Sequence, residues 1–140
     1  MNLNALNLNA LALAGIAVAM SAIPVAAHHS FAMFDAQKST TLEGTVKEFQ
    51  WTNPHAWILL NAPKDGAQVQ WAIEMGGPSG LARQGWVPKT LTPGMKVKTV
   101  IHPLRDGTAG GQFMAITLPD GTEMGNPNGR PNANAGAPAN

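Results

Sequence analysis

Two groups of side chains along this 140-residue chain have types and spacings that could do chemistry. The first pairs Trp51-Thr-Asn-Pro-His55, with Trp57 just beyond it, with the distant run His102-Pro-Leu-Arg-Asp-Gly107. Indole rings offer stacking faces, imidazoles donate or accept hydrogen bonds, and a planar guanidinium recognises planar acceptors. Brought together, Asn53, His55, Trp57, His102, Arg105 and Asp106 would form a ligand-binding face. The competing assignment makes Asn53-Pro54 and Asp106-Gly107 ordinary turns, Trp51 and Trp57 core aromatics, and Arg105 and Asp106 a solvated pair.

The second group is His28-His-Ser-Phe-Ala-Met-Phe-Asp35. If a cut exposes His28, its amine and imidazole can chelate one Cu(II) ion, with a third nitrogen from His29, His55 or His102. Met33 would add a soft sulfur for Cu(I). The metal candidates under this alternative are therefore His28, His29, His55 and His102, with copper as its cofactor, whereas the binding-face reading expects none; no spacing here reproduces a zinc motif. A catalytic set is not recognisable: Ser30, Ser39 and Ser79 lack a nucleophile elbow, no paired carboxylates stand out, and Gly76-Gly77 and Gly110-Gly111 are not phosphate loops. The expectation is a non-enzymatic protein.

Composition narrows the partners. Without cysteine, disulfides, thiolate metal sites, iron–sulfur clusters and cysteine nucleophiles are excluded together. Nine Lys+Arg against eight Asp+Glu leave a net charge of +1, too little to gather a nucleic acid. A small ligand or a periplasmic protein is the expected partner.

The ends are distinct from the middle. Residues 1–27 carry no charged side chain, and the apolar run Leu11–Met20 leads into Ser21-Ala-Ile-Pro-Val-Ala-Ala27. Small residues at Val25 and Ala27 suit signal peptidase, so the reading is a signal peptide cut after Ala27 and a periplasmic location. An uncleaved anchor is the alternative, but the run is short of the roughly 20 apolar residues a spanning helix needs. After cleavage no membrane span is expected. Residues 124–140 are rich in Asn, Pro, Gly and Ala, which cannot offset the entropy of ordering, and read as a disordered tail. Residues 28–123 remain as one folded domain.

Within that domain the candidate residues must be held by short strands. Val69, Trp71, Ile73 and Met75 alternate with polar partners, predicting a half-buried strand over 68–75. His55–Asn61 is a second apolar run, joined to it by a turn containing Asp65-Gly66. In Thr41–Trp51 the apolar phase moves from Leu42 and Val46 to Phe49 and Trp51, which implies a bulge or bend near Lys47-Glu48. Pro78 and Gly85 bracket one short helix. Strands follow at 96–102 and 113–118, with Arg105–Gly111 a flexible loop between them and Pro119-Asp-Gly121 a turn. The order predicts an all-β fold with one short helix, a small five-stranded OB-like Greek-key barrel, whose ligands lie across strands two and three and between the 1–2 and 4–5 loops. A small open sandwich is the alternative.

Four segments, His28–Asp35, Glu48–Trp57, Gly77–Trp86 and His102–Gly107, together resemble a family of small secreted bacterial proteins classed only as a domain of unknown function. The likeness spans most of residues 28–121. It implies a periplasmic setting and a small β-rich domain, and brings no activity, cofactor or catalytic residue with it.

Overall fold

The structure, a computed structural model, describes residues 31–125. After a 3-10 turn at Phe31–Met33 come β1 (Thr40–Gln50), β2 (Trp57–Lys64), β3 (Ala67–Glu74), α1 (Pro78–Arg83), β4 (Lys96–Pro103), β5 (Gly110–Thr117) and β6 (Glu123–Gly125). Hydrogen bonding runs β3-β2-β1-β4-β5-β6, and β3 also pairs with β5. That last pairing closes β1 to β5 into a barrel, so the open-sandwich alternative is set aside.

Local chemistry explains each joint. The Asp65-Gly66 turn has positive φ at both residues, 51° and 83°, and such a two-residue turn matches the twist of the strands it connects. It pairs Lys64 directly with Ala67, so β2 and β3 run closer to the turn than expected. In β1 the register slips between Val46 and Glu48, where the apolar pattern changes phase. The extra residue, Lys47, lets β1 pair with β4 through Thr45 and with β2 as far as Gln50.

The helix is short but well terminated. Pro78 sits in its first turn; at the other end Gly85 has φ 87°, donates to the Ala82 carbonyl at 3.1 Å, and lets Trp86 N–H reach Leu81 O at 3.1 Å. This paired C-terminal hydrogen bonding reverses the chain and delivers Trp86 to the core. There Trp86 is 1% exposed, with the Phe113 ring edge-on at 5.4 Å and Phe49 at 5.9 Å. The rest of the core comes from inward positions such as Val46, Ile58, Leu60, Ile73, Ile101 and Ile116.

Two expectations are corrected. Gly110 and Gly111 belong to β5 rather than to a flexible loop: they pair with Ala72 and Ile73, and β3 at Gly110 and β4 at Gly111 approach too closely for a side chain. A Cβ on Gly111 would lie 2.5 Å from the His102 carbonyl oxygen, and one on Gly110 would lie 3.0 Å from that of Ala72. The ordered chain also continues two residues into the segment read as tail. β6 pairs Met124 with Ile116, and Met124 packs partly buried against the core. Residues 126–140, and the expected signal segment at 1–27, lie outside the described residues.

Candidate functional site

The β1–β2 loop is held by the chain that follows β3. Ala56 and Met75 exchange backbone bonds with this partner segment, Ala56 N–H to Gly76 O at 3.1 Å and Met75 N–H to Ala56 O at 2.9 Å. Gly77 passes so close to Pro54 that a Cβ there would be 2.8 Å from the Pro54 carbonyl oxygen. Thr52 Oγ1 donates to His55 O at 2.8 Å, and His55 Nδ1 lies 2.9 Å from Met75 O. A carbonyl can only accept, so Nδ1 carries a proton and donates it to Met75 O.

Residues 32–38 form a strap over the same end of the barrel. Phe34 bridges to Leu104, and Asp35 N–H donates to Pro103 O at 2.8 Å. Arg105 fastens the strap from below: its N–H reaches Met33 O at 3.0 Å, its Nε donates to Ala32 O at 3.0 Å, and its guanidinium lies 3.7 Å from the Asp35 carboxylate. His102 Nδ1 donates to Lys38 O at 2.6 Å. Phe34 is thereby 5% exposed although it is no part of the main core.

Beneath Phe34 lies a cavity of about 230 Å³. His55, Glu74 and Gln112 contribute its polar wall, while Met75, Gly76 and Phe113 complete the lining. Glu74 ends β3 on the side opposite Ile73, where an outward position on a barrel would ordinarily be wet. The strap and β5 cover it, leaving Glu74 8% exposed, with its carboxylate 3.4 Å from His55 Nδ1.

Of the six residues expected to form a binding face, His55 lines this cavity. His102 sits one strand away, paired with Gln112, and holds the strap, as does Arg105. Asp106 turns inward on its own loop, where Thr108 N–H and Oγ1 donate to Oδ1 at 2.9 and 2.8 Å and hold its carboxyl below the ordinary value. Trp57 lies half-buried beside Glu74 in the β2–β3 pairing, and Asn53 is exposed in the loop. Thus the two loops do meet at one end of the barrel, but through the strap, which pattern reading missed. Of the metal candidates, His28 and His29 lie outside the described residues, and His55 and His102 bond to different main-chain carbonyls. Among the described residues no three His, Cys, Asp or Glu are grouped to hold a metal ion, and no helix is long and apolar enough to cross a membrane.

Phe34, Glu74, Gln112 and Phe113 were not singled out in the sequence. Glu74 occupies the polar phase of a period-two strand, so only the strap, a tertiary feature, reveals its burial.

Strap attachment gives a direct prediction. Burial pushes the Asp35 carboxyl up, but the Gln37 N–H bond, Lys38 and the Arg105 guanidinium together outweigh it and hold the carboxyl below its ordinary 3.8. A lowered folded value stabilises above the unfolded pKa and is lost as pH falls through the folded one. Protection of the Asp35 and Arg105 amides, taken against intrinsic exchange at each pH, is therefore expected to fall as pH drops below 3.8. Arg105→Ala should quicken exchange of the Asp35 amide by about tenfold at neutral pH, the worth of roughly one lost hydrogen bond. Unchanged exchange would mean the strap is held by other contacts.

These features define a small closed β-barrel of five strands with one short helix and a strap-covered cavity at one end. The chain belongs to the DUF6152 family, a family of unknown function, whose model matches residues 15–113. No curated protein matches the chain, and no solved structure does.

Proposed function

We propose that this protein is an exported, non-enzymatic binding domain that takes a small ligand in the cavity between its strap, its β1–β2 loop and β5. The observation that carries this reading is the covered cavity itself, with a fixed histidine and a buried carboxylate set in an otherwise apolar wall. Such a mixture, few polar groups placed among aromatic and aliphatic ones, is how small-molecule sites gain both affinity and orientation. Among the described residues neither a serine, threonine nor lysine lines it, so the polar pair there has no nucleophile to activate and is suited to recognition. The barrel order β1-β2-β3-β5-β4, with the helix between the third and fourth strands, fits an OB-like Greek key, in which the 1–2 and 4–5 loops flank the ligand. The uncharged, apolar first 27 residues support export to the periplasm.

Gly76 offers a clean test. A Cβ there meets nothing within 4 Å, so Gly76→Leu adds bulk at the cavity without a clash in the fold. In ligand-observed NMR with a library of small fragments, wild-type protein should give hits that Gly76→Leu weakens by about tenfold or more, with its melting temperature retained. His55→Ala should weaken the same hits. Hits indifferent to both changes would place binding elsewhere and remove this reading.

A further inference from the structure

The wall of the cavity is mostly hydrocarbon, yet it holds a carboxylate with little to satisfy it. Among the described residues no N–H or O–H donates a hydrogen bond to Glu74 within ordinary range. Its nearest ionisable neighbour, His55 Nδ1 at 3.4 Å, already gives its proton to Met75 O at 2.9 Å. A carboxylate with a side chain only 10% exposed and no protein donor is best satisfied by an occupant of opposite charge that brings donors of its own.

The other groups present point the same way. His55, whose Nδ1–H is spent on Met75 O, adds its imidazole to the lining. Gln112, in register with Glu74 across the parallel β3–β5 pair, adds a carboxamide. Phe34 and Phe113 supply ring faces whose quadrupoles attract cations. Acceptors, aromatic faces and buried negative charge together select a cation with N–H groups.

We propose that the cavity binds a small organic ammonium ion, with its N–H groups donated to the Glu74 carboxylate and its hydrocarbon part against Phe34 and Phe113. This inference rests on the binding reading above and names the ligand class for the same site. Size limits the choice: at about 30 Å³ per water, a cavity of about 230 Å³ has the space of seven or eight waters. A compact primary amine fits that space better than a polyamine or a peptide.

The test is a titration of the full chain with n-propylammonium, with n-butanol as a neutral counterpart of similar size and Zn²⁺ as a metal probe, followed by ¹⁵N–¹H spectra. The amine is expected to shift the amides of Glu74, Met75, Gly76 and Phe113 and to bind about tenfold or more tightly than butanol, the reach of one charge-assisted contact in a dry site. Glu74→Gln should remove that preference while leaving any butanol binding in place, and Gly76→Leu should weaken both ligands. Equal binding of amine and alcohol, or an undiminished amine in Glu74→Gln, overturns the ammonium assignment but leaves a small-ligand site standing. Zn²⁺ shifting these amides where the amine does not also overturns it. If neither organic probe shifts them, while fragments bind elsewhere, both readings fall. Should Glu74→Gln not fold, the comparison of amine with alcohol on the wild-type chain decides the matter.

Discussion

Trp86→Ala is expected to cost about 3–5 kcal/mol of stability, a large part of the roughly 5–15 kcal/mol that holds a small domain folded. The side chain is 1% exposed and its ring meets both Phe49 and Phe113, so truncation opens a hole where the helix end, β1 and β5 converge. Surrounding strands are fixed by barrel hydrogen bonds and cannot collapse into it, which places the cost at the high end of such changes. The effect should also reach the site, because Phe113 leans on Trp86 from one side and lines the cavity on the other. Urea unfolding followed by circular dichroism would measure it. Trp86→Phe is expected to cost less than half as much: the indole N–H has no partner among the described residues, so losing it removes an unsatisfied donor as well as volume. Similar losses for Phe and Ala would mean that the indole shape, and not buried area, matters at this position.

Gly111→Ala is the second large effect, and it acts on the β4–β5 pairing. The new methyl would lie 2.5 Å from the His102 carbonyl oxygen and 2.7 Å from Ile101 Cδ1. Ile101 could rotate away, but the carbonyl belongs to the backbone of β4 and cannot move without breaking the β4–β5 register. A loss of about 3 kcal/mol, the upper end of ordinary overpacking, is expected. Gly76→Ala is the control, since its Cβ enters open space and should leave the urea midpoint nearly unchanged. If Gly111→Ala were equally silent, β4 would have room to part from β5 at His102 without losing the register.

The fold was legible where local chemistry and tertiary structure agree. Asp65-Gly66 announced its hairpin because both residues tolerate positive φ, and the phase change around Lys47 announced the β1 bulge because burial alternates strictly with two-residue period. Pro78 and Gly85 marked the helix for the same kind of reason. Gly110-Gly111 misled, since glycine pairs signal loops by default and their use here, to let two strands approach within side-chain distance, depends on a partner forty residues away. Tail composition hid Met124, the single apolar residue at its start. The candidate site was legible only in part. His55 was found through its aromatic and turn-rich setting, and the meeting of the two loops followed from strand order. Arg105 and His102 were placed at the right end of the barrel with a role the strap now redefines, because they recognise main-chain carbonyls of residues 32–38. Glu74 could not be found, as nothing in the pattern of β3 distinguishes an outward carboxylate in water from one covered by a distant segment.

If the cavity beneath Phe34 is where this protein binds its ligand, small fragments should collect there. Soaking crystals of the protein in mixtures of small fragments tests it most directly. Electron density enclosed by Phe34, His55, Glu74 and Phe113 is expected, and its absence in crystals of Gly76→Leu. Fragments gathered instead in the open groove bordered by Thr45, Asn61 and Lys98, with the strap cavity holding only water, would contradict it.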